Sequence, residues 1–177
     1  MRDPESGERC APLEFGEVWT RSEQNSPGYF GLPYETAVLL TRDGWLRTGD
    51  GGHLDDDGFL FLTDRVKDLV ISGGENVYPA EVELVLRAHP AVADACVVGV
   101  PDERWGEAVA AAVVVRRGRL VSAEELVAFA AGRLAGYKRP RRIELVDDLP
   151  RNATGKVLRR VLRDRLTQLP LPVKENV

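Results

Sequence analysis

Three short segments place charged side chains on tight turns, where they could meet a phosphorylated ligand. Thr48-Gly49-Asp50 follows an apolar strand. An ionised Asp on such a turn can accept both hydroxyls of a ribose, each charge-assisted bond contributing about 1.5–3 kcal/mol. Taken alone, the tripeptide reads first as an Asp closing a β-turn. SGGEN (72–76) is a glycine-rich loop after a strand and before a helix, and its glycines let backbone approach a ligand closely. It contains neither G-x-G-x-x-G nor G-x-x-x-x-G-K-[ST], so it is not a dinucleotide fingerprint or a P-loop. Asn152-Ala-Thr-Gly-Lys156 ends like a P-loop, but Pro150 precedes it where no glycine is found, and Val157 follows the lysine in place of Ser or Thr. A lysine on a glycine-containing loop just before a helix can still reach a phosphate or carboxylate as a mobile point charge.

The run GYKRPRR (136–142) sets Lys138, Arg139, Arg141 and Arg142 around Tyr137, with Pro140 holding the segment extended. A phosphate clamp and a single-stranded nucleic-acid site are two functional readings; a solvated basic loop is the third. A nucleic-acid site wants several exposed aromatics interleaved with the charge. Residues 116–177 offer only Phe129, assigned to the core face of a helix, and Tyr137, so no nucleic-acid partner is expected. His53 in a turn and His89 at the end of a helix face read as structural. No His, Cys or carboxylate cluster has metal-ligand spacing, so no metal site is expected. No Ser-His-Asp or Cys-His arrangement supplies a nucleophile.

The elements that must hold these turns follow from composition and pattern. The 177 residues, 44% hydrophobic and 29% charged, suit one ordinary soluble domain or two small ones. No apolar run approaches the roughly 18 residues that cross a bilayer, and the N-terminus MRDPESGERC has no signal-like apolar region. Cys10 and Cys96 cannot make a disulfide framework; Cys96, inside ACVVGV, reads as buried core, and a cytoplasmic location is expected. The net charge of −4 is uneven: residues 1–115 carry 9 Lys and Arg against 21 Asp and Glu, and residues 116–177 carry 15 against 7. This asymmetry suggests that the C-terminal part faces an anionic partner, whether nucleic acid, membrane surface or polyphosphate cofactor; a solvated basic face is the alternative.

From Glu14 to Leu62 the pattern is short strands, GEVWT, AVLLT, WLRT and FLFL, with a hairpin signal at Asp57-Gly58. Such strands need neighbours to cover their edges. After Arg65 the pattern becomes mixed α and β: a strand at 69–72, a helix at 79–89 with Val82, Val85, Leu86 and His89 inward, and strands at 95–100 and 108–115. Ser122 and Glu125 form a capping box for a helix with Leu126, Phe129 and Ala130 inward. A strand at 142–146 and a last helix carrying Leu158, Val161, Leu162 and Leu166 complete the series. The fold class is therefore α+β, with a domain boundary near residues 64–67 and a frayed tail at 169–177.

The order of the motifs is more specific than any one of them. WLRTGD (45–50), DRVKDLVISGGENVYPAEVE (64–83), DERWGE (102–107), GYKRP (136–140) and LPRNATGKVLRR (149–160) together resemble the adenylate-forming enzymes, which include acyl- and aryl-CoA synthetases, peptide-synthetase adenylation domains and luciferases. The similarity runs from about Phe15 to Leu166. It implies that residues 1–64 are the β-rich end of a large N-terminal adenylation domain, 65–67 a hinge centred on Lys67, and 68–168 a small C-terminal lid domain with a short, mostly antiparallel sheet and about three helices. The implied reaction joins a carboxylic acid to CoA with ATP, through an acyl-adenylate. Asp50 and Arg65 would bind the ribose, and Lys156 would serve adenylation. Gly73, Gly74 and Glu75 would sit beside the thiol tunnel, with Trp105, Tyr137, Arg139 and Arg141 on CoA. The GYKRP form favours a free-standing CoA ligase over a peptide-synthetase domain. Mg2+ is expected with ATP, with its ligands outside this chain. The family's phosphate loop, adenine pocket and acid pocket are missing, so the chain alone is not expected to catalyse the reaction. A separate N-terminal adenylation-domain protein is a further candidate partner. A non-catalytic CoA- or protein-binding module and a truncated remnant remain as alternatives.

Overall fold

A computed structural model of the chain describes residues 1–168; the tail expected at 169–177 lies outside the described residues. Contacts divide the chain into two units, Met1–Lys67 and Asp68 onward.

The first unit is built on an antiparallel sheet in the order β1-β2-β3, from β1 (Gly16–Thr20), β2 (Leu46–Leu54) and β3 (Leu60–Arg65). The expected turn joins β2 to β3. Asp55 closes it, its carboxylate accepting from the backbone N–H groups of Asp57 at 3.1 Å and Phe59 at 2.8 Å. The segment AVLLT, expected as a strand, lies mostly in a helix instead, α1 (Pro33–Leu39). Pro33 presets the first helical turn, and Thr36 donates its hydroxyl back to the Leu32 carbonyl at 2.8 Å. Only Leu40 behaves as strand, in a single bridge to Leu46.

The second unit contains β4 (Val70–Ser72), β5 (Glu75–Val77), α2 (Pro79–Arg87), β6 (Val92–Asp102), β7 (Gly106–Val115), α3 (Ala123–Ala131), β8 (Arg142–Val146) and α4 (Arg159–Gln168). Its sheet runs β5-β4-β7-β6, antiparallel throughout, and β8 adds to β7 in parallel. Successive residues of β6 and β7 point to opposite faces, and both faces are covered. Val97, Val109, Ala111 and Val113 pack with Val82 and Leu86 of α2 and Leu126 and Ala130 of α3. Cys96, Val98, Ala108 and Ala110 pack with Leu162 and Leu166 of α4. The unit is thus an α+β sandwich with α2 and α3 on one face and α4 on the other.

Three local expectations change. Gly73-Gly74 does not lead directly into a helix; it is the two-residue turn of the β4–β5 hairpin, and its φ angles of +63° and +85° suit the mirror-image turns that hairpins prefer. The helix expected at 79–89 ends at Arg87, and His89 lies beyond it, its ring edge-on to Phe129 with centroids 4.9 Å apart. Pro90 disfavours helical backbone at the residue before it. In the last helix only Leu162 and Leu166 are buried, while Leu158 precedes the helix and Val161 is half exposed. The capping box is present as expected: the Ser122 hydroxyl accepts from the Glu125 N–H at 3.1 Å, and the Glu125 carboxylate accepts from the Ser122 N–H at 2.8 Å.

Candidate functional site

In the first unit the candidate ribose-binding pair is adjacent. Asp50 and Arg65 face each other across β2 and β3, with Arg65 Nε 2.9 Å from Asp50 Oδ1 and both side chains about half exposed. Thr48-Gly49-Asp50, expected as a tight turn, is an irregularity within β2 opposite Glu17–Trp19, and Arg65 Nη1 stiffens it by donating to the Thr48 carbonyl at 2.9 Å. Gly49 permits that irregularity with a φ of +73°. Beneath it lies a residue that sequence reasoning missed. Glu17, only 3% exposed, accepts from the Gly49 N–H at 3.0 Å, Arg47 Nε at 3.0 Å and Trp19 Nε1 at 2.9 Å. Such a carboxylate is retained in an interior because its oxygens are occupied by donors.

In the second unit, part of the set expected to hold CoA gathers on Trp105. The Gly73 N–H donates to the Trp105 carbonyl at 2.9 Å, and a Cβ on Gly73 would lie 2.6 Å from the indole. The guanidinium groups of Arg141 and Arg104 lie 4.6 and 4.8 Å from the ring centroid. Gly74 and Glu75 are exposed beside Gly73. Arg139 is engaged elsewhere, donating to the Leu134 carbonyl at 3.1 Å, where it closes the chain after α3. Tyr137 packs on the core beside Lys138, whose ammonium is held 2.7 Å from Glu81. The structure therefore joins Gly73, Trp105 and Arg141, adds Arg104, and turns Arg139 to a structural bond.

Lys156 stands on a loop fixed by its own motif. The Asn152 side-chain oxygen accepts from the Thr154 N–H at 3.1 Å, the Thr154 hydroxyl at 2.8 Å and the Lys156 N–H at 2.9 Å. Gly155 supplies the reversal with a φ of +82°, and Arg151 and Val157 bridge across the base. Asparagine, threonine and glycine at this spacing are thus the internal scaffold of the loop. The lysine is exposed and enters no ion pair with the described residues. A mobile ammonium on a fixed backbone suits transient contact with an anion.

The charge asymmetry has an internal cause that the sequence did not reveal. Lys138, Arg151, Arg159 and Arg163, all from the basic C-terminal part, pair with Glu81, Asp94, Glu83 and Glu107 of the acidic part. Arg142 is buried and donates to the Leu166 carbonyl. Part of the positive charge is therefore compensated within the fold, while Arg116, Arg117, Arg119, Arg133 and Arg160 are exposed outside these ion pairs; Arg104 and Arg141 stand against Trp105, and Lys156 on its own loop. Burial pushes the Cys96 thiol up to about 12, so this cysteine is not a nucleophile at neutral pH. Among the described residues no group of three or more His, Cys, Asp or Glu side chains could hold a metal ion, and no helix is long and apolar enough to cross a membrane.

Known proteins share this geometry. Residues 81–156 match the AMP-binding enzyme C-terminal domain. The chain is 50% identical over 159 residues to the fatty acid–[acyl-carrier-protein] ligase ScoC of Streptomyces coeruleorubidus, covering 90% of this chain and 30% of that ligase. It is 47% identical over 176 residues to a 2-succinylbenzoate–CoA ligase of Geobacillus sp. (strain WCH70), covering 99% of this chain and 35% of the relative. Among solved structures, ATP-bound MatB from Rhodopseudomonas palustris superposes with a TM-score of 0.89 at 37% identity, over 94% of this chain and 33% of that one. The chain thus spans about a third of the length of the relatives it matches. Residues 81–156 thus carry the AMP-binding enzyme C-terminal domain, and in sequence and fold the chain is similar to about a third of each of these proteins.

Proposed function

We propose that the chain is the C-terminal portion of an ATP-dependent, AMP-forming acid–thiol ligase, which converts a carboxylic acid, ATP and CoA to acyl-CoA, AMP and pyrophosphate through an acyl-adenylate. The observation that carries this reading is Lys156, an exposed ammonium on a loop braced by Asn152, in the domain shared with these ligases. When the acid's carboxylate attacks the α-phosphate, negative charge builds on the phosphoryl oxygens. A preorganised cation there stabilises the transition state, and removing one such group typically costs ~10²–10³ in rate. Asp50 and Arg65 would hold the ribose meanwhile. In this reading residues 1–64 are the end of the adenylation domain, 65–67 the hinge, and 68–168 the lid.

After adenylation, rotation about Lys67 would withdraw Lys156 and bring Gly73, Gly74 and Glu75 to the thiol entrance. Trp105, flanked by Arg104 and Arg141, would then stack on the CoA adenine and meet its phosphates; Tyr137 and Arg139 would shape the segment behind them. Mg2+ is expected with ATP, with its ligands outside this chain. The free thiols of Cys10 and Cys96 support a cytoplasmic setting. The relatives' greater length and the exposed apolar side chains of β3, Phe61 and Leu62 among them, support an activity that needs a larger N-terminal domain, in the same polypeptide or a separate one.

A fusion of the chain to an N-terminal adenylation domain tests the reading by carboxylate-dependent ATP–pyrophosphate exchange. The chain alone should give none; the fusion should exchange, and Lys156→Ala should lower the rate ~10²–10³-fold. Full exchange in the Lys156→Ala fusion would refute the assignment. The 50% identity to an acyl-carrier-protein ligase favours one second reading, with a carrier-protein thiol as acceptor. Comparing CoA with a phosphopantetheinylated carrier protein in the same assay decides between them.

A further inference from the structure

A ladder of alternating charges runs through the second unit from the Lys156 loop to the linker. Arg151 Nη2 lies 2.6 Å from Asp94 Oδ2, and the other Asp94 oxygen lies 3.0 Å from Arg87 Nε. Arg87 Nη2 reaches Glu83 Oε2 at 3.1 Å, and the other Glu83 oxygen holds Arg159 Nη1 at 2.7 Å. Arg159 Nε is in turn 3.7 Å from Asp68, the residue after Lys67. The members come from the loop before Lys156, the start of β6, two turns of α2, the first residue of α4 and the linker.

The ladder differs from a set of independent surface pairs in two respects. Glu83 is 4% exposed and also accepts from the Val97 N–H at 2.9 Å, so its charge is buried and depends on its arginines. Arg151 grips both ends of its loop: while Nη2 pairs with Asp94, Nη1 donates to the Gly155 carbonyl at 2.8 Å. The residue after Gly155 is Lys156. One guanidinium therefore ties the backbone next to the lysine to β6, and Asp94 carries that tie onward to α2.

We propose that Arg151 and Asp94 are positioning residues for Lys156, holding its loop in register with β6 and, through Arg87, Glu83 and Arg159, with the linker at Asp68. The role in adenylation rests on the ligase reading above; neither residue touches a substrate. A displacement of about 1 Å at a catalytic group can cost ~10²-fold in rate, so a loosened loop has a kinetic signature. The ladder also makes the loop and the start of the unit move together, so that a rotation at Lys67 is transmitted to Lys156 without slack.

Two measurements separate the proposal from the reading it rests on. In the isotope-labelled chain itself, Asp94→Asn should raise hydrogen exchange at the Gly155 and Lys156 amides about tenfold, leaving Val97 and Val109 protected. Arg151→Ala, on an exposed loop, should do the same and guards against a folding defect in the first variant. In the fusion ligase, Arg151→Ala should slow acyl-adenylate formation ~10–100-fold, with KM for ATP and thioester formation from preformed acyl-adenylate changed less than about twofold. Arg151→Lys should recover part of the loss. Unchanged loop exchange, or equal losses in both half-reactions, overturns the positioning role. If Lys156→Ala leaves adenylation intact, the ligase reading fails, while the exchange measurement still decides whether the ladder holds the loop.

Discussion

Trp105 keeps its place because the residue beside it has no side chain. Alanine at Gly73 would bring a methyl within 2.6 Å of the indole and would force an L side chain into a φ of +63°. Gly73→Ala should therefore cost about 1–2 kcal/mol of stability in urea unfolding and displace the ring. Stacking on a base contributes roughly 1–3 kcal/mol, so Trp105→Ala should weaken CoA binding to the chain by about 5- to 150-fold in calorimetric titration, and Arg141→Ala should weaken it in the same direction. Ser72 offers a contrasting case. Its hydroxyl is buried with no hydrogen-bond partner, so Ser72→Ala should be neutral or stabilising by up to ~1 kcal/mol. Cys96 predicts a pH dependence. Its folded-state value of about 12 lies above the unfolded one, so the native chain keeps a proton that the unfolded chain loses. Stability should be insensitive to this group below about pH 8 and should fall as pH rises from about 9 toward 12, with a slope no steeper than ~1.4 kcal/mol per pH unit; Cys96→Ala should flatten that slope.

At the scale of elements, what could be read from the sequence was local. Ser122 and Glu125 announce α3 because both partners of the capping box lie within four residues, and Ser122→Ala should cost about 1 kcal/mol by the same logic. The Asp57-Gly58 hairpin and the long β6 and β7 were legible for similar reasons. Strand β4 was expected at 69–72, but β5 was missed, because a three-residue strand is too short to show a period and a Gly-Gly turn serves a hairpin or a strand-to-helix loop equally well. AVLLT failed as a strand because a short apolar run looks alike in either state, and Pro33, four residues upstream of Ala37, decides it. Among the candidate site residues, Asp50, Arg65 and Lys156 were singled out through motif order. Glu17, Glu83 and Asp94 were not, because a carboxylate's role depends on partners 30, 76 and 57 residues away in sequence.

For the whole molecule, the pairing of a basic C-terminal part with an acidic remainder changes what charge says about partners. Arginines already held by Asp94, Glu83 and Glu107 add little to attraction for a polyanion, and of the remaining cations Arg104 and Arg141 are the ones set against Trp105. With two guanidinium groups at Trp105, binding of CoA there should weaken only modestly between 50 and 200 mM salt, unlike the 10³–10⁵-fold loss of a protein contacting 6–10 phosphates. The first unit carries a different kind of surface. Phe59, Phe61, Leu60 and Leu62 are all exposed, and successive side chains alternate, so β3 shows apolar groups on both faces while it borders its sheet. An edge of that composition is a template for strand addition by another molecule. Purified by itself, the chain should self-associate as its concentration rises, and in a cell it should attract chaperones until the surface is covered. Abundance would then follow the supply of whatever covers β3, making the outer edge of that strand a gauge of stoichiometry.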